Sequence, residues 1–200
     1  MDEEFWEEMY RGRDQVFSGA PNGVLVTEVA DLPPGHALDV GCGEGGDALW
    51  LARRGWRVTA VDVSRTALRR GAAAGADVAG RVTWTHADLT GTPPPPGAYD
   101  LVSAQYLPLR KQADHAAPRG LLAAVAPGGT LLVASHDLAD LPPDHGHGFD
   151  PGAYYQPGDI ARLLDDRWAV LVDETRPRTA PAPPGTGHTH DVVLRARRLA

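Results

Sequence analysis

The run Ala37-Leu38-Asp39-Val40-Gly41-Cys42-Gly43-Glu44-Gly45-Gly46 is followed one helix later by Val58-Thr59-Ala60-Val61-Asp62-Val63-Ser64. An apolar stretch ends in an acid and passes straight into alternating glycines, then a helical segment, then a second apolar stretch that also ends in an acid. Buried parallel strands read as such continuous apolar runs, and a glycine-rich strand-to-helix turn is where doubly wound folds bind nucleotides. Glycines at 41, 43 and 45 permit positive φ and remove side chains, so that backbone N–H groups can approach a ligand closely. Asp62 lies 21 positions beyond Gly41, at the expected tip of the second strand, where a carboxylate can accept both hydroxyls of a ribose. The stretch reads as an adenosine-binding corner.

Two glycine patterns overlap there. Gly41-x-Gly43-x-x-Gly46 fits the dinucleotide fingerprint, and Asp39-x-Gly41-x-Gly43-x-Gly45 fits the pattern used for S-adenosylmethionine; either match alone is weak. Three further features separate them. Asp39 stands two residues before the first glycine, where it can hold the α-ammonium or backbone of an amino-acid moiety that a dinucleotide lacks. Val82-Thr83-Trp84-Thr85-His86-Ala87-Asp88-Leu89 is another strand ending in an acid, suited to an adenine amino group. Tyr99-Asp100-Leu101-Val102-Ser103-Ala104-Gln105 and then Val125-Ala126-Pro127-Gly128-Gly129-Thr130-Leu131-Leu132-Val133 complete an ordered series.

Together, and in this order, these motifs resemble the class I S-adenosylmethionine-dependent methyltransferases over roughly residues 36 to 136. The resemblance implies an α/β, single-domain, three-layer Rossmann-like sandwich. Its mostly parallel seven-stranded sheet has the order 3-2-1-4-5-7-6 and closes with a C-terminal antiparallel hairpin. It implies S-adenosyl-L-methionine as cofactor, with S-adenosyl-L-homocysteine as product. It places the methionine part against Asp39, Gly41, Cys42, Gly43 and Gly45, the ribose at Asp62 and Val63, and the adenine at Asp88 and Leu89. Gln105 matches the position that faces the sulfonium. The short chain and aromatic N-terminal helix are most similar to the tellurite-resistance and thiopurine type, which act on small molecules. Protein or nucleic-acid methylation, and cofactor binding without transfer, are the alternatives.

Two hundred residues that are 42% hydrophobic can bury one α/β core but not two. A net charge of −7 argues against a polyanionic partner such as nucleic acid, because displacing counterions needs a cationic face. Lys111 is the single lysine, and the other 18 of the 19 basic residues are arginines, which together with abundant alanine, glycine and proline reads as a genome-wide composition bias. The single cysteine, Cys42, excludes an intrachain disulfide and reads as a small packing residue within the glycine loop. The start Met1-Asp2-Glu3-Glu4 is the opposite of a basic secretory leader, and no apolar run approaches spanning length, so a cytoplasmic protein away from membranes is expected.

Residues 1–35 are expected as an N-terminal helical lid and 36–200 as the methyltransferase core. Phe5, Trp6, Met9 and Tyr10 recur at helical spacing with acids opposite, and Trp6 and Tyr10 share a face at i, i+4. A helix docked on the core and a lid contributing Trp6 and Tyr10 to the cofactor site are both open readings. A second helix is expected over Val24 to Leu32, a strand over His36 to Val40, a helix over Gly46 to Arg54, and a strand over Arg57 to Val61, with Ser64 as N-cap of the next helix. Four consecutive prolines, Pro93 to Pro96, rule out a regular crossover helix between strands three and four. The gap is roughly 14 Å for three strand spacings, which an extended segment spans easily. Helices over Asp114 to Ala126 and Pro157 to Asp166 and strands over Trp168 to Thr175 and Asp191 to Arg198 complete the layout, the last two flanking a turn-rich linker from Pro177 to Gly187.

Methyl transfer from a sulfonium is an in-line displacement, and holding nucleophile and methyl in line in a dry pocket supplies much of the acceleration. A base is needed only for a nucleophile that carries a proton at neutral pH. By position at the carboxyl ends of strands four and five, the candidates are His136, Asp137, Gln105 and Tyr106, with His136 the choice for a catalytic residue. His145-Gly146-His147 and His188-Thr189-His190 invite a metal reading but lack a cysteine or acidic partner set, so no metal is expected and substrate-lining histidines are the other reading. Arg195, Arg197 and Arg198 read as a solvated strand edge. A short-chain dehydrogenase would need Tyr-x-x-x-Lys, and Lys111 follows Tyr106 at the wrong spacing.

Overall fold

The computed structural model describes residues 2–141, 150–179 and 187–200. Within them β1 (His36–Val40), β2 (Arg57–Asp62), β3 (Val82–His86), β4 (Tyr99–Gln105), β5 (Val125–His136), β6 (Trp168–Pro177) and β7 (His190–Arg198) form one sheet in the order β3-β2-β1-β4-β5-β7-β6. The first five pair in parallel, and β7 runs antiparallel to both β5 and β6. This is the strand order expected from the motif series. Its helices are α1 (Glu3–Arg11), α2 (Gly23–Val29), α3 (Gly46–Arg53), α4 (Arg65–Ala74), α5 (Ala116–Ala124) and α6 (Pro157–Ala161). Among the described residues no helix is long and apolar enough to cross a membrane.

Period-two alternation loads both faces of the sheet. Leu101, Leu132 and Val193 join the apolar layer under α2 and α3, and their neighbours Val102, Leu131 and Leu194 join the layer under α5 and α6. All six are fully buried, and each such side chain contributes about 1.5–3 kcal/mol. Two cores on opposite faces make the three-layer sandwich, and they fix the carboxyl ends of β1 to β5 at one edge of the molecule.

Local chemistry sets the element ends. Ser64 caps α4, its Oγ accepting from Ala67 N at 3.1 Å, as its residue type predicts. No helix forms between β3 and β4, and Pro93 of that segment packs on Gly120 of α5, where a Cβ would lie 3.2 Å from the proline. Three helices are shorter than their patterns. α2 stops at Val29. α5 stops at Ala124 because Val125 already pairs with Tyr99, and an irregularity before the Leu101–Thr130 pair absorbs Pro127-Gly128-Gly129. α6 stops at Ala161 and tightens into i→i+3 bonds from Leu163 to Ile160 and Leu164 to Ala161; Asp165 and Asp166 would otherwise sit where a helix carboxyl end disfavours negative charge.

Within residues 1–35, α2 buries Val24, Leu25 and Val29 against α3 and the sheet. One expectation is corrected. The arginines of β7 are not a solvated edge, since β7 lies between β5 and β6. Arg195 pairs with the buried Glu28 at 3.4 Å, Arg198 donates to Val125 O at 2.6 Å, and Arg197 donates to Gly128 O at 3.3 Å.

Candidate functional site

The strand order reverses between β1 and β4, and open α/β sheets bind ligands in the crevice outside that switch point. A cavity of about 1160 Å³ opens there, larger than the ~300–1,000 Å³ that one drug-sized ligand occupies. Asp39, Gly41, Cys42, Gly43, Asp62, Val63, Asp88, Leu89, Gln105, Trp6, Tyr10 and His136 all line it. Gly45 does not. It takes φ 87° to start α3, and its Cα faces the Trp84 ring and Gly71, so its missing side chain serves packing between α4 and β3.

The glycine loop works differently from the expectation of free N–H groups. Gly41 N and Cys42 N both donate to Val61 O, at 2.8 and 3.0 Å, and Gly43 N donates to Asp62 Oδ2 at 2.8 Å. These donors turn back onto the end of β2, because the tip of the neighbouring strand offers acceptors the loop must satisfy in any case. What the glycines supply is positive φ, 69° at Gly41 and 52° at Gly43, and empty space. A Cβ at Gly41 would lie 2.6 Å from Leu107 Cδ1, and one at Gly43 would lie 2.8 Å from Tyr10 Oη.

Asp39 is buried at the end of β1, accepts from Ala48 N, and leaves Oδ2 with no partner. Burial, then the neighbouring Asp47 and Asp62, raise its pKa well above the usual carboxylate range. Asp47 and Asp62 are raised by burial too, against hydrogen bonds that favour their charged forms: Asn22 N and Nδ2 on Asp47 at 2.6 and 2.9 Å, and Gly43 N and Ser64 N on Asp62, each at 2.8 Å. None of the three has an ion-pair partner among the described residues. Like charges gathered in a desolvated place are costly unless a cation joins them. Asp88, by contrast, is exposed and accepts from Thr90 N and Oγ1 in its own turn at 2.8 and 2.7 Å. The Cys42 thiol is pushed up by burial and by Asp39 and Asp62, so it stays protonated and inert.

At the end of β4, Gln105 is buried, donates from Nε2 to Ser103 Oγ at 3.0 Å, and leaves Oε1 with no partner. His136 lines the same end of the cavity. Burial, then His188 and Arg178, bring its pKa down to about 4, and Arg178 Nη1 lies 3.1 Å from its Nδ1. A guanidinium can only donate, so Nδ1 accepts and the ring proton sits on Nε2. With its lone pair occupied, His136 is not arranged as a general base. It is sandwiched between Tyr106 at 4.4 Å and His188 at 3.8 Å between ring centroids. Thr189 and His190 hang from Asp140 through backbone N–H bonds of 2.7 Å each. His145 and His147 lie outside the described residues.

The ties that hold α1 over the cavity carry no local sequence signal. Glu7 accepts from Ser64 Oγ at 2.7 Å, Thr66 N at 3.1 Å and Thr66 Oγ1 at 2.7 Å, at the start of α4. Partial burial works against its charge, but these bonds outweigh it and hold its pKa down to about 2. Arg70 donates to Tyr10 O and Arg13 O at 2.8 and 2.6 Å and pairs with Glu44 at 2.9 Å, while Glu44 Oε2 accepts from Val16 N and Phe17 N at 3.1 and 3.0 Å. Tyr10 is thereby 2% exposed above the glycine loop. Arg178 also escaped notice, because it follows β6 in a proline-rich stretch without period.

A sequence profile described as a methyltransferase domain matches residues 37–129. An uncharacterised methyltransferase of Mycobacterium tuberculosis is 38% identical over 111 residues, 56% of this chain and 55% of that protein. The chain is thus similar to methyltransferases over about half of its length. It spans about half the length of the curated relatives it matches. A structure solved for the conversion of a disulfide bond into a thioacetal group during echinomycin biosynthesis superposes with a TM-score of 0.73 at 26% identity, covering 98% of this chain and 92% of that one. The 1,6-didemethyltoxoflavin-N1-methyltransferase of Burkholderia thailandensis, solved with 1,6-didemethyltoxoflavin and S-adenosylhomocysteine, gives 0.70 at 18% identity, covering 98% and 86%.

Proposed function

We propose that this protein binds S-adenosyl-L-methionine in the cavity at the ends of β1 to β4 and transfers its methyl group to a small-molecule acceptor. The observation that carries the reading is Asp39: a buried carboxylate with an unpartnered oxygen, next to two more buried acids, none of the three ion-paired among the described residues. The donor set fits this cofactor, whose α-ammonium and sulfonium are cations. Asp39 would hold the ammonium, and Asp62 the ribose hydroxyls. Each Asp62 oxygen accepts one backbone N–H and keeps capacity for one more donor. The Asp88–Leu89 corner would take the adenine, Gln105 Oε1 would face the sulfonium end, and Trp6 and Tyr10 would cover the bound molecule.

When bound, the cofactor supplies an activated methyl on sulfur. The chain's own residues orient and enclose: α1 excludes water, the acid tips hold one partner, and the wall after β4 leaves room for the other. Positioning of this kind accounts for much of a displacement's acceleration. Among the described residues of the lining, the one histidine, His136, has its Nδ1 taken by Arg178, so the proposal favours an acceptor whose reacting atom has a lone pair at neutral pH. The overall charge of −7 and the acids at the mouth support a small acceptor over a nucleic acid. Calorimetry with S-adenosylhomocysteine and with a nicotinamide dinucleotide tests the cofactor, and incubation with methyl-labelled cofactor and a panel of small acceptors tests transfer. Heat with the dinucleotide alone would refute the reading; binding with no label moved to any acceptor would reduce it to cofactor binding.

A further inference from the structure

The cavity is charged in two halves. Among the described residues, every carboxylate of its lining belongs to the N-terminal segment, to the loop and helix after β1, or to the tips of β1, β2 and β3. All three of its cations, Arg110, Lys111 and Arg178, come from the opposite wall, built by the segment after β4 and the residue that follows β6. The acidic half is the half assigned above to the cationic cofactor. The cationic half is therefore where the acceptor lies.

Arg178 stands out in that wall. Its side chain is only 9% exposed, yet it lines the cavity. Asp191 Oδ1 and His136 Nδ1 both take Nη1, at 2.8 and 3.1 Å, and Nε is buried with no partner. The guanidinium lies 5.1 Å above the Tyr106 ring, and Tyr106 in turn donates to Asp191 at 2.8 Å from a backbone at φ 54°. A non-glycine residue held there costs of order 1–3 kcal/mol and persists only where its surroundings impose it. Arginine presents five donors in a planar fork that matches a carboxylate. Here the fork is fixed by Asp191, stacked on Tyr106 and left with unused donor capacity.

We propose that the methyl acceptor is a small organic acid whose carboxylate is held at the Arg178 end of the cavity, with Arg110 adding to the attraction from the rim; Lys111 is already paired with Asp159 at 2.9 Å. The inference rests on the methyl-transfer reading above and narrows its substrate class. An anion at this end and a cation at the other complement the two halves of the lining, so the same arrangement orients the acceptor and rejects cationic competitors.

The test uses the full chain saturated with S-adenosylhomocysteine and ligand-observed NMR against a charge-balanced fragment collection, each carboxylic acid being matched by its primary amide. Acids should dominate the binders, with acids favoured over their amides by about tenfold or more and the preference shrinking as salt is added. Arg178→Gln should erase the preference while the affinity for S-adenosylhomocysteine stays within about twofold. Because that variant leaves Asp191 buried and unpaired, Arg178→Lys, which keeps the charge, and Arg110→Gln, on the exposed rim, provide folded comparisons that should each lower the preference in part. A protein that binds S-adenosylhomocysteine but takes amides as well as acids overturns this inference alone. An Arg178 variant that loses thermal stability with the acid-to-amide ratio unchanged overturns it as well, leaving Arg178 a structural residue. If S-adenosylhomocysteine itself does not bind, the methyl-transfer reading falls and this inference with it.

Discussion

Replacing Asp39 by Asn should move two quantities in opposite directions. The substitution keeps an oxygen for Ala48 N but removes the charge that burial, Asp47 and Asp62 all disfavour. The ligand-free protein should therefore melt no lower than the wild type, and higher wherever Asp39 is ionised. The sign follows from linkage. A carboxyl whose folded pKa lies above its ordinary 3.8 binds more protons folded than unfolded, so its contribution to stability is full below that ordinary value and is lost as pH rises through the folded one. The gap between mutant and wild type should thus open with rising pH. Ligand affinity should do the reverse. A charge-assisted hydrogen bond is worth about 1.5–3 kcal/mol, so losing the one between Asp39 and the ammonium should raise the Kd for S-adenosylhomocysteine about 10- to 150-fold. At a fixed saturating ligand concentration the stabilisation by ligand should drop by the same ~1.5–3 kcal/mol, or about 3–12 °C for a chain of this size. Calorimetric titration and thermal melts with and without ligand measure both. An Asp39→Asn protein that binds S-adenosylhomocysteine like the wild type would remove Asp39 from its proposed role, and one that melts lower without ligand would refute the electrostatic reasoning.

Three other outcomes are expected. Glu7→Gln should cost about 1 kcal/mol, since solvent screens most of the charge effect on a side chain at the protein surface; because Glu7's pKa is depressed from 4.5 to about 2, the difference from wild type in melts against pH should be constant above the upper value and vanish as pH falls through the lower one. Gly43→Ala puts a Cβ 2.8 Å from Tyr10 Oη at φ 52°, and the strained backbone plus a displaced Tyr10 should lower stability by about 1–3 kcal/mol and weaken S-adenosylhomocysteine binding; an unchanged melt and affinity would mean Tyr10 does not rest there. The buried Cys42 should resist iodoacetamide in the native protein at neutral pH, followed by mass spectrometry, and become labelled only on unfolding; rapid native labelling would show the loop open.

The sheet was legible because its evidence is local. An acid at the end of each of three apolar runs, with glycines after the first, marks the strands and the acidic half of the cavity, while the strand order follows only from the family resemblance that these motifs carry. The residues that were missed depend on contacts far apart in sequence. Glu7 reaches Ser64 and Thr66 across 57 and 59 positions, and as a helix-surface acid with an i+4 arginine it looks like any solvated pair. Arg178 acquires its place only through the register of β7, which sets Asp191 opposite both His136 of β5 and Arg176 of β6. That register cannot be read from an arginine between two prolines. Position in the sequence places His136 at the cavity, but the occupant of its Nδ1, Arg178, depends on a contact 42 positions away.

The two kinds of evidence meet at Asp62. Its Oδ2 accepts from Gly43 of the glycine loop and its Oδ1 from Ser64 N, while Ser64 Oγ both caps α4 and donates to Glu7 of α1. One carboxylate, conspicuous in the sequence, therefore joins the loop under the cavity through one bond and the helix over it through two in series. A hydroxyl pair arriving at Asp62 would share its lone pairs with both backbone donors, and any shift there passes to the start of α4, where Glu7 and Thr66 anchor α1. Arg70 and Glu44 tie the far end of the same segment to the loop after β1. Helix α1 and the floor of the cavity are thus built on shared residues, so that a substitution at Asp62 reaches both the glycine loop and the anchor of α1.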